Sequence, residues 1–184
     1  MTDEPEAKKM KPTGWEDHTL NISEAVMKAD EGRFLKELAE EKTVETIQGI
    51  GPKADLLLEA LGVKSMEDLA TYKYFLMARF IVTLAESETE GGRPTGSSMN
   101  IDKAVDKDWE AKSFKEIAEA PTSALEGLSE KARELLTELH VKTVKDLANF
   151  KYCRYAEAIM EAAKYEEAET AGERKVSAAM KKLE

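Results

Sequence analysis

Apolar residues along the chain recur at helical spacing and almost never alternate, which argues for helices over strands. Phe34, Leu35 and Leu38 fall on one helical face, as do Leu57, Leu58 and Leu61. The pattern predicts helices from Asn21 to about Lys28 and from about Glu31 to Glu41, with a short one from Thr43 through Ile47. Pro52 stands where a helix accepts proline, at its first position. The helix it opens carries Ala54 to Leu61 and ends at Gly62, a C-cap residue. Ser65 with Asp68 and Thr143 with Asp146 read as capping-box starts. Helices then follow from Met66 to about Tyr72 and from about Lys73 to Glu88. No strand is expected.

The most apolar stretch is 72–84, with Tyr72, Tyr74, Phe75, Leu76, Met77, Phe80, Ile81, Val82 and Leu84, interrupted by Lys73 and Arg79. A helix apolar nearly all round is buried on several sides. Phe75, Leu76, Phe80 and Ile81 are therefore expected inside, with this helix touching the second half of the chain. The other reading makes it an interaction helix, with Tyr72, Tyr74, Phe75 and Phe80 as the candidate contact residues.

The pattern is written twice. Asn21-Ile22 returns as Asn100-Ile101, Lys36 to Glu40 as Lys115 to Glu119, and Asp68-Leu69-Ala70 as Asp146-Leu147-Ala148. The offset is 79 residues early and 78 later, so one residue is missing from the second copy between the positions of Thr43 and Gly49. The expected fold is all-α, with two tandem helical repeats. Residues 1–18 read as a disordered leader, 19–89 as the first repeat and 90–99 as a Gly/Pro/Ser linker. Residues 100–165 read as the second repeat, and 166–184 as a helical or frayed tail. A repeat of this size is marginal alone, burying only about 60% of its unfolded surface, so the two are expected to pack together.

The run Ile47-Gln48-Gly49-Ile50-Gly51-Pro52-Lys53-Ala54, followed by Leu57, Leu61-Gly62-Val63 and Asp68-Leu69-Ala70, resembles the helix-hairpin-helix motif. The resemblance implies a sharp glycine turn plugged into the core by Ile50. In DNA-binding members it implies a phosphate held on backbone N–H groups at a helix N-terminus, with a lysine adding charge. Gly49, Gly51 and Lys53 are the candidate phosphate- or DNA-binding residues. In the second hairpin Leu128 is the plug, Ser129 replaces the second glycine and Glu130 the proline, so Glu126 and Glu130 set two carboxylates beside that site. The chain also resembles uncharacterised tandem-repeat members of this group, for which the resemblance implies a fold and no activity.

Charge changes the functional expectation. The net charge is −10, with −8 in residues 1–92 and −2 in 93–184, which opposes approach to nucleic acid or an anionic membrane. No apolar run reaches the about 18 residues of a membrane span. Cys153 is the single cysteine, so an internal disulfide is excluded, and the residue reads as a small core hydrophobe. The acidic group Asp102, Asp106, Asp108 and Glu110 lacks the turn glycine of a calcium loop. Trp15, in the leader, is an aromatic expected to dock on its own domain or on a partner. No nucleophile–base pair, nucleotide loop or metal spacing is found, so neither enzymatic activity nor a cofactor is expected. The expected function is a non-enzymatic interaction or scaffold protein binding a protein partner, inside the cell or in an organelle lumen or stroma. The alternative is a DNA-binding accessory protein using the first hairpin.

Overall fold

The computed structural model describes Trp15 and residues 18–183, so most of the expected leader lies outside the described residues. Among those described there are nine α-helices, three short 3-10 turns and no strand, and the all-α expectation holds. Two runs of four helices carry the body. The first is α1 (Leu35–Ala39), α2 (Pro52–Ala60), α3 (Met66–Ala70) and α4 (Lys73–Ala85). The second is α5 (Phe114–Ala118), α6 (Glu130–Glu138), α7 (Val144–Ala148) and α8 (Lys151–Ala163), and α9 (Ala171–Met180) follows. The lengths five, nine, five and thirteen residues occur in both runs.

The N-terminal part is less helical than its apolar spacing predicts. Residues 23–25 form a turn, a 3-10 turn spans Lys28–Asp30, and α1 begins only at Leu35. Gly32, at φ +79°, breaks the run that was expected to be continuous from Glu31. The expected helix from Thr43 to Ile47 is a turn closed by Ile47 N–H on the Val44 carbonyl at 3.0 Å. Here β-branched Val44, Thr46 and Ile47 favour extended backbone, and tertiary pairing takes over. Met27 N–H donates to Thr46 O at 2.8 Å and Gln48 N–H to Ala25 O at 2.9 Å, an isolated antiparallel bridge. Asp106 to Ala124 and Glu126 to Ala104 repeat it in the second run, at 2.8 and 3.0 Å.

The cap residues behave as their chemistry dictates. Pro52 occupies the first turn of α2. Past its end, Gly62 sits at φ +84°, with Val63 N–H returning to Leu58 O at 2.9 Å. The end of α6 closes identically, Val141 N–H to Leu136 O at 2.8 Å, but the left-handed residue is His140 at φ +63°. A Cβ in that conformation costs about 1–2 kcal/mol, partly offset by the greater unfolded-state freedom of glycine. His140→Gly is expected to stabilise the protein by about 0.5–1 kcal/mol, read as a higher urea midpoint at unchanged m-value. Both capping boxes form: Ser65 with Asp68 on α3, and Thr143 with Asp146 on α7. The backbone N–H of Lys64 is the main cause holding the Asp68 carboxyl below its usual pKa.

The last helix of each run packs into the other run. α4 lies against α5 and α7, whereas α8 lies against α1 and α3. Phe75, Ala78, Ile81 and Ala85 form the buried face of α4; Cys153, Ala156, Ile159 and Ala163 form that of α8. Two glutamates fasten the exchange. Glu88, just past α4, accepts from Phe114 and Lys115 N–H at 2.8 and 2.9 Å, satisfying the two first-turn donors of α5 that the Ser113–Glu116 capping box leaves over. Glu166, just past α8, accepts from Leu35 and Lys36 N–H of α1 at the same distances. A carboxylate there meets both unpaired donors and the positive end of the helix dipole. Arg79 of α4 forms an ion pair with Glu157 of α8.

Candidate functional site

The first hairpin is built around Gly49, whose φ of +93° only glycine adopts without strain. Ile50 is buried beneath it, as Leu128 is beneath Gly127. Gly51 is different. Its φ is −87° and a Cβ there would meet nothing within 4 Å, so the turn does not demand glycine at this position. That freedom explains why Ser129 fits the same place in the second hairpin, where its hydroxyl caps α6 by accepting from Ala132 N–H at 3.2 Å. α2 has no side-chain cap.

Each hairpin is covered by a tyrosine from the opposite run. Tyr152 donates to Gly49 O at 2.8 Å, and Tyr74 donates to Gly127 O at 2.7 Å. Lys151 reaches the first turn as well, its Nζ 3.3 Å from the place a Cβ on Gly49 would occupy. Lys53 is 77% exposed and pairs with Glu138 of α6 at 3.2 Å. So the structure gathers Gly49, Gly51 and Lys53 at one turn, adds Lys151 and Tyr152 from far along the chain, and places a carboxylate on Lys53. Sequence spacing offered no sign of the last three.

The candidate interaction helix is α4, and the structure divides its residues. Phe75 has no exposed surface and belongs to the core. Tyr72 and Tyr74 are half-buried and packed edge-on at 5.6 Å between ring centres. Burial is the main cause raising the Tyr72 hydroxyl pKa, and the neighbouring Tyr74 and Cys153 add to it. Phe80 and Leu76, expected inside, are instead 36% and 39% exposed, and Leu84 is 43% exposed. The reason is that α5 and α7 cover only the face carrying residues 75, 78, 81 and 85. Leu76, Phe80 and Leu84 then stand one turn apart on the uncovered side. Their counterparts on α8, by the 78-residue offset, are exposed Arg154, Ala158 and Ala162. The sequence held the signal: the two copies differ in hydrophobicity at these three positions and agree at the buried ones.

No protein-family model, curated protein or solved structure matches the chain. The functional reading therefore rests on the geometry alone.

Among the described residues, no group of three or more His, Cys, Asp or Glu side chains is gathered to hold a metal ion. Asp106 accepts from Asp108 N–H, at 3.4 Å, and so starts the 3-10 turn Lys107–Trp109. No described helix is long and apolar enough to cross a membrane. Trp15 packs edge-on against His18 and Phe34, with ring centres 4.9 and 6.5 Å away, so this aromatic docks on its own chain at the start of α1. Cys153 is buried, and burial pushes its thiol pKa up to about 12. A neutral, covered thiol neither attacks nor ligates. Its labelling by a thiol reagent at neutral pH is expected to proceed only at the rate of unfolding, and to become immediate in denaturant. Fast labelling of the native protein would place Cys153 at the surface.

Proposed function

We propose that this protein is a non-enzymatic helical adaptor, built on two helix-hairpin-helix units, that binds a protein partner on the open face of α4. The observation that carries this reading is the row Leu76, Phe80 and Leu84, exposed on a rigid thirteen-residue helix whose opposite face is core. Contiguous apolar surface on a folded helix is a mark of an interaction site, and helix-on-helix docking reads residues at this spacing. Arg154 and the two small alanines at these positions on α8 make the feature specific to one of two otherwise similar helices.

The test is affinity capture from the native cell with wild type and with Leu76→Glu/Phe80→Glu, both checked for an unchanged melting temperature. The double variant is expected to lose proteins that wild type retains. A Lys53→Glu control should keep them. If the double variant retains the same proteins as wild type, the reading fails.

One arrangement favours a second reading, DNA binding. The uncapped N-terminus of α2 has Lys53 at its first turn, and Lys151 lies beside Gly49. Against it stand Glu138 on Lys53 and the net charge of −10. Non-specific affinity scales with the phosphates neutralised. Duplex DNA is therefore expected to bind weakly at physiological salt in fluorescence anisotropy. Tight binding abolished by Lys53→Glu or Lys151→Glu would move the function to this reading.

A further inference from the structure

The main helix contacts of this protein join one run to the other: α4 lies on α5 and α7, α8 on α1 and α3, and α2 meets α6. The tyrosine over each hairpin and the glutamates at α5 and α1 cross between the runs in the same way. Side-chain size decides which pairings this interface accepts. By the 78-residue offset, the buried faces of α4 and α8 differ at one place, Phe75 against Cys153. The buried faces of α3 and α7, which receive α8 and α4, also differ at one place, Met66 against Val144. The larger guest residue thus goes with the smaller host residue, and the smaller guest with the larger host. Two first runs paired together would set the helix of Phe75 on the helix of Met66 and overpack the core. Two second runs would set the helix of Cys153 on that of Val144 and leave a void. Both errors destabilise a close-packed interior. The surface is therefore specific for a first run against a second run, whichever chain supplies each.

The joint between the runs does not restrict that choice. Residues 89–100 are exposed apart from Ser97, which is half-buried. Their hydrogen bonds stay within the segment: Arg93 donates to the Ser97 and Met99 carbonyls, and Ser97 N–H to Pro94 O. Opening the joint gives up no core packing, and the extended segment reaches about 40 Å.

We infer that the first run of one copy also binds the second run of another, so that two chains build a reciprocal dimer of two composite bodies. Each body repeats every contact between runs that the monomer makes, so the two states differ only in the joint and in chain entropy. A flexible joint of this length holds its two runs at an effective concentration of about a millimolar. The monomer is therefore the form at micromolar concentration, and the dimer gains on it as the chain approaches the millimolar range. Each dimer carries two open α4 faces, one from each chain, and is bivalent for whatever binds there. The inference itself stands apart from the identity of that partner.

The full chain and a heavy-isotope form of it, in equal parts, are unfolded in guanidinium and refolded together at micromolar and at near-millimolar concentration. Native mass spectrometry is expected to find monomer in the dilute sample and about a tenth or more of the chains as dimer in the concentrated one. A site-specific protease sequence placed between Gly91 and Ser98 then identifies the dimer. Cutting the joint should convert each dimer into two monomer-sized bodies, and mixed dimers into bodies holding one heavy and one light run. Heavy and light monomers that are cut first and mixed afterwards measure the background exchange of runs. A dimer that stays whole after cleavage is held by its surfaces and overturns the inference, as does refolding near millimolar that gives monomer alone. Leu76→Glu/Phe80→Glu should leave the dimer yield unchanged; loss of the dimer in that variant places the contact on the open face of α4 and overturns reciprocal exchange.

Discussion

Residues 1–92 and 93–184, produced as separate chains, are expected to be largely unfolded alone and to recover native helicity when mixed. The cause is the exchange of last helices. Without the second run, α4 has lost α5 and α7, and Phe75 and Ile81, each without exposed surface in the whole protein, face water. Each such side chain forfeits about 1.5–3 kcal/mol of burial, in a fragment too small to have that stability in reserve. The first-turn donors of α1 and α5 also lose their glutamates. Circular dichroism of each fragment and of the equimolar mixture reads the outcome directly. Two fragments that each melt cooperatively as folded monomers would show that each run buries its own last helix.

Within α4, Phe75→Ala is expected to cost about 3–5 kcal/mol and Phe80→Ala less than about 1.5 kcal/mol. The residues are identical and five positions apart. Phe75 is wholly enclosed, so truncation leaves a cavity that the close-packed neighbours cannot fill. Phe80 is 36% exposed, so water enters the space and little packing is lost. Chemical denaturation of the two variants beside wild type measures both. Equal losses would place Phe80 in the core and remove the open face of α4. The contrast also bears on use: a residue that contributes little to stability yet stays large and apolar is available to a partner.

Local chemistry was the legible part of the sequence. The capping boxes at Ser65 and Thr143, Pro52 at the start of α2 and Gly62 at its end are written in neighbouring residues, and neighbours decide them. The apolar wheel of 72–84 was legible as helix but not as to which side faces inward. Phe75 and Phe80 are equally hydrophobic, and only the arrival of α5 and α7 separates them. The short turn at Thr43 to Ile47 is not legible locally, because its pairing partner, Val26, lies outside any local window. Lys151 and Tyr152 at the first hairpin were invisible for the same reason, being about a hundred positions away in the chain. Of the two glycines of that hairpin, Gly49 is required by its backbone, and Gly51 is not.

The contact of Arg79 with Glu157 has a consequence for what this chain can associate with through its own halves. By the 78-residue offset the two residues occupy the same place in the two copies. A position that meets its own counterpart lies on the axis relating the copies. Were the molecule a dimer of identical subunits, that place would bring arginine against arginine or glutamate against glutamate. Only a chain carrying both versions can put opposite signs there. The pair therefore favours one half against the other over either half against its own copy, and symmetry is broken at a point where symmetry would be repulsive.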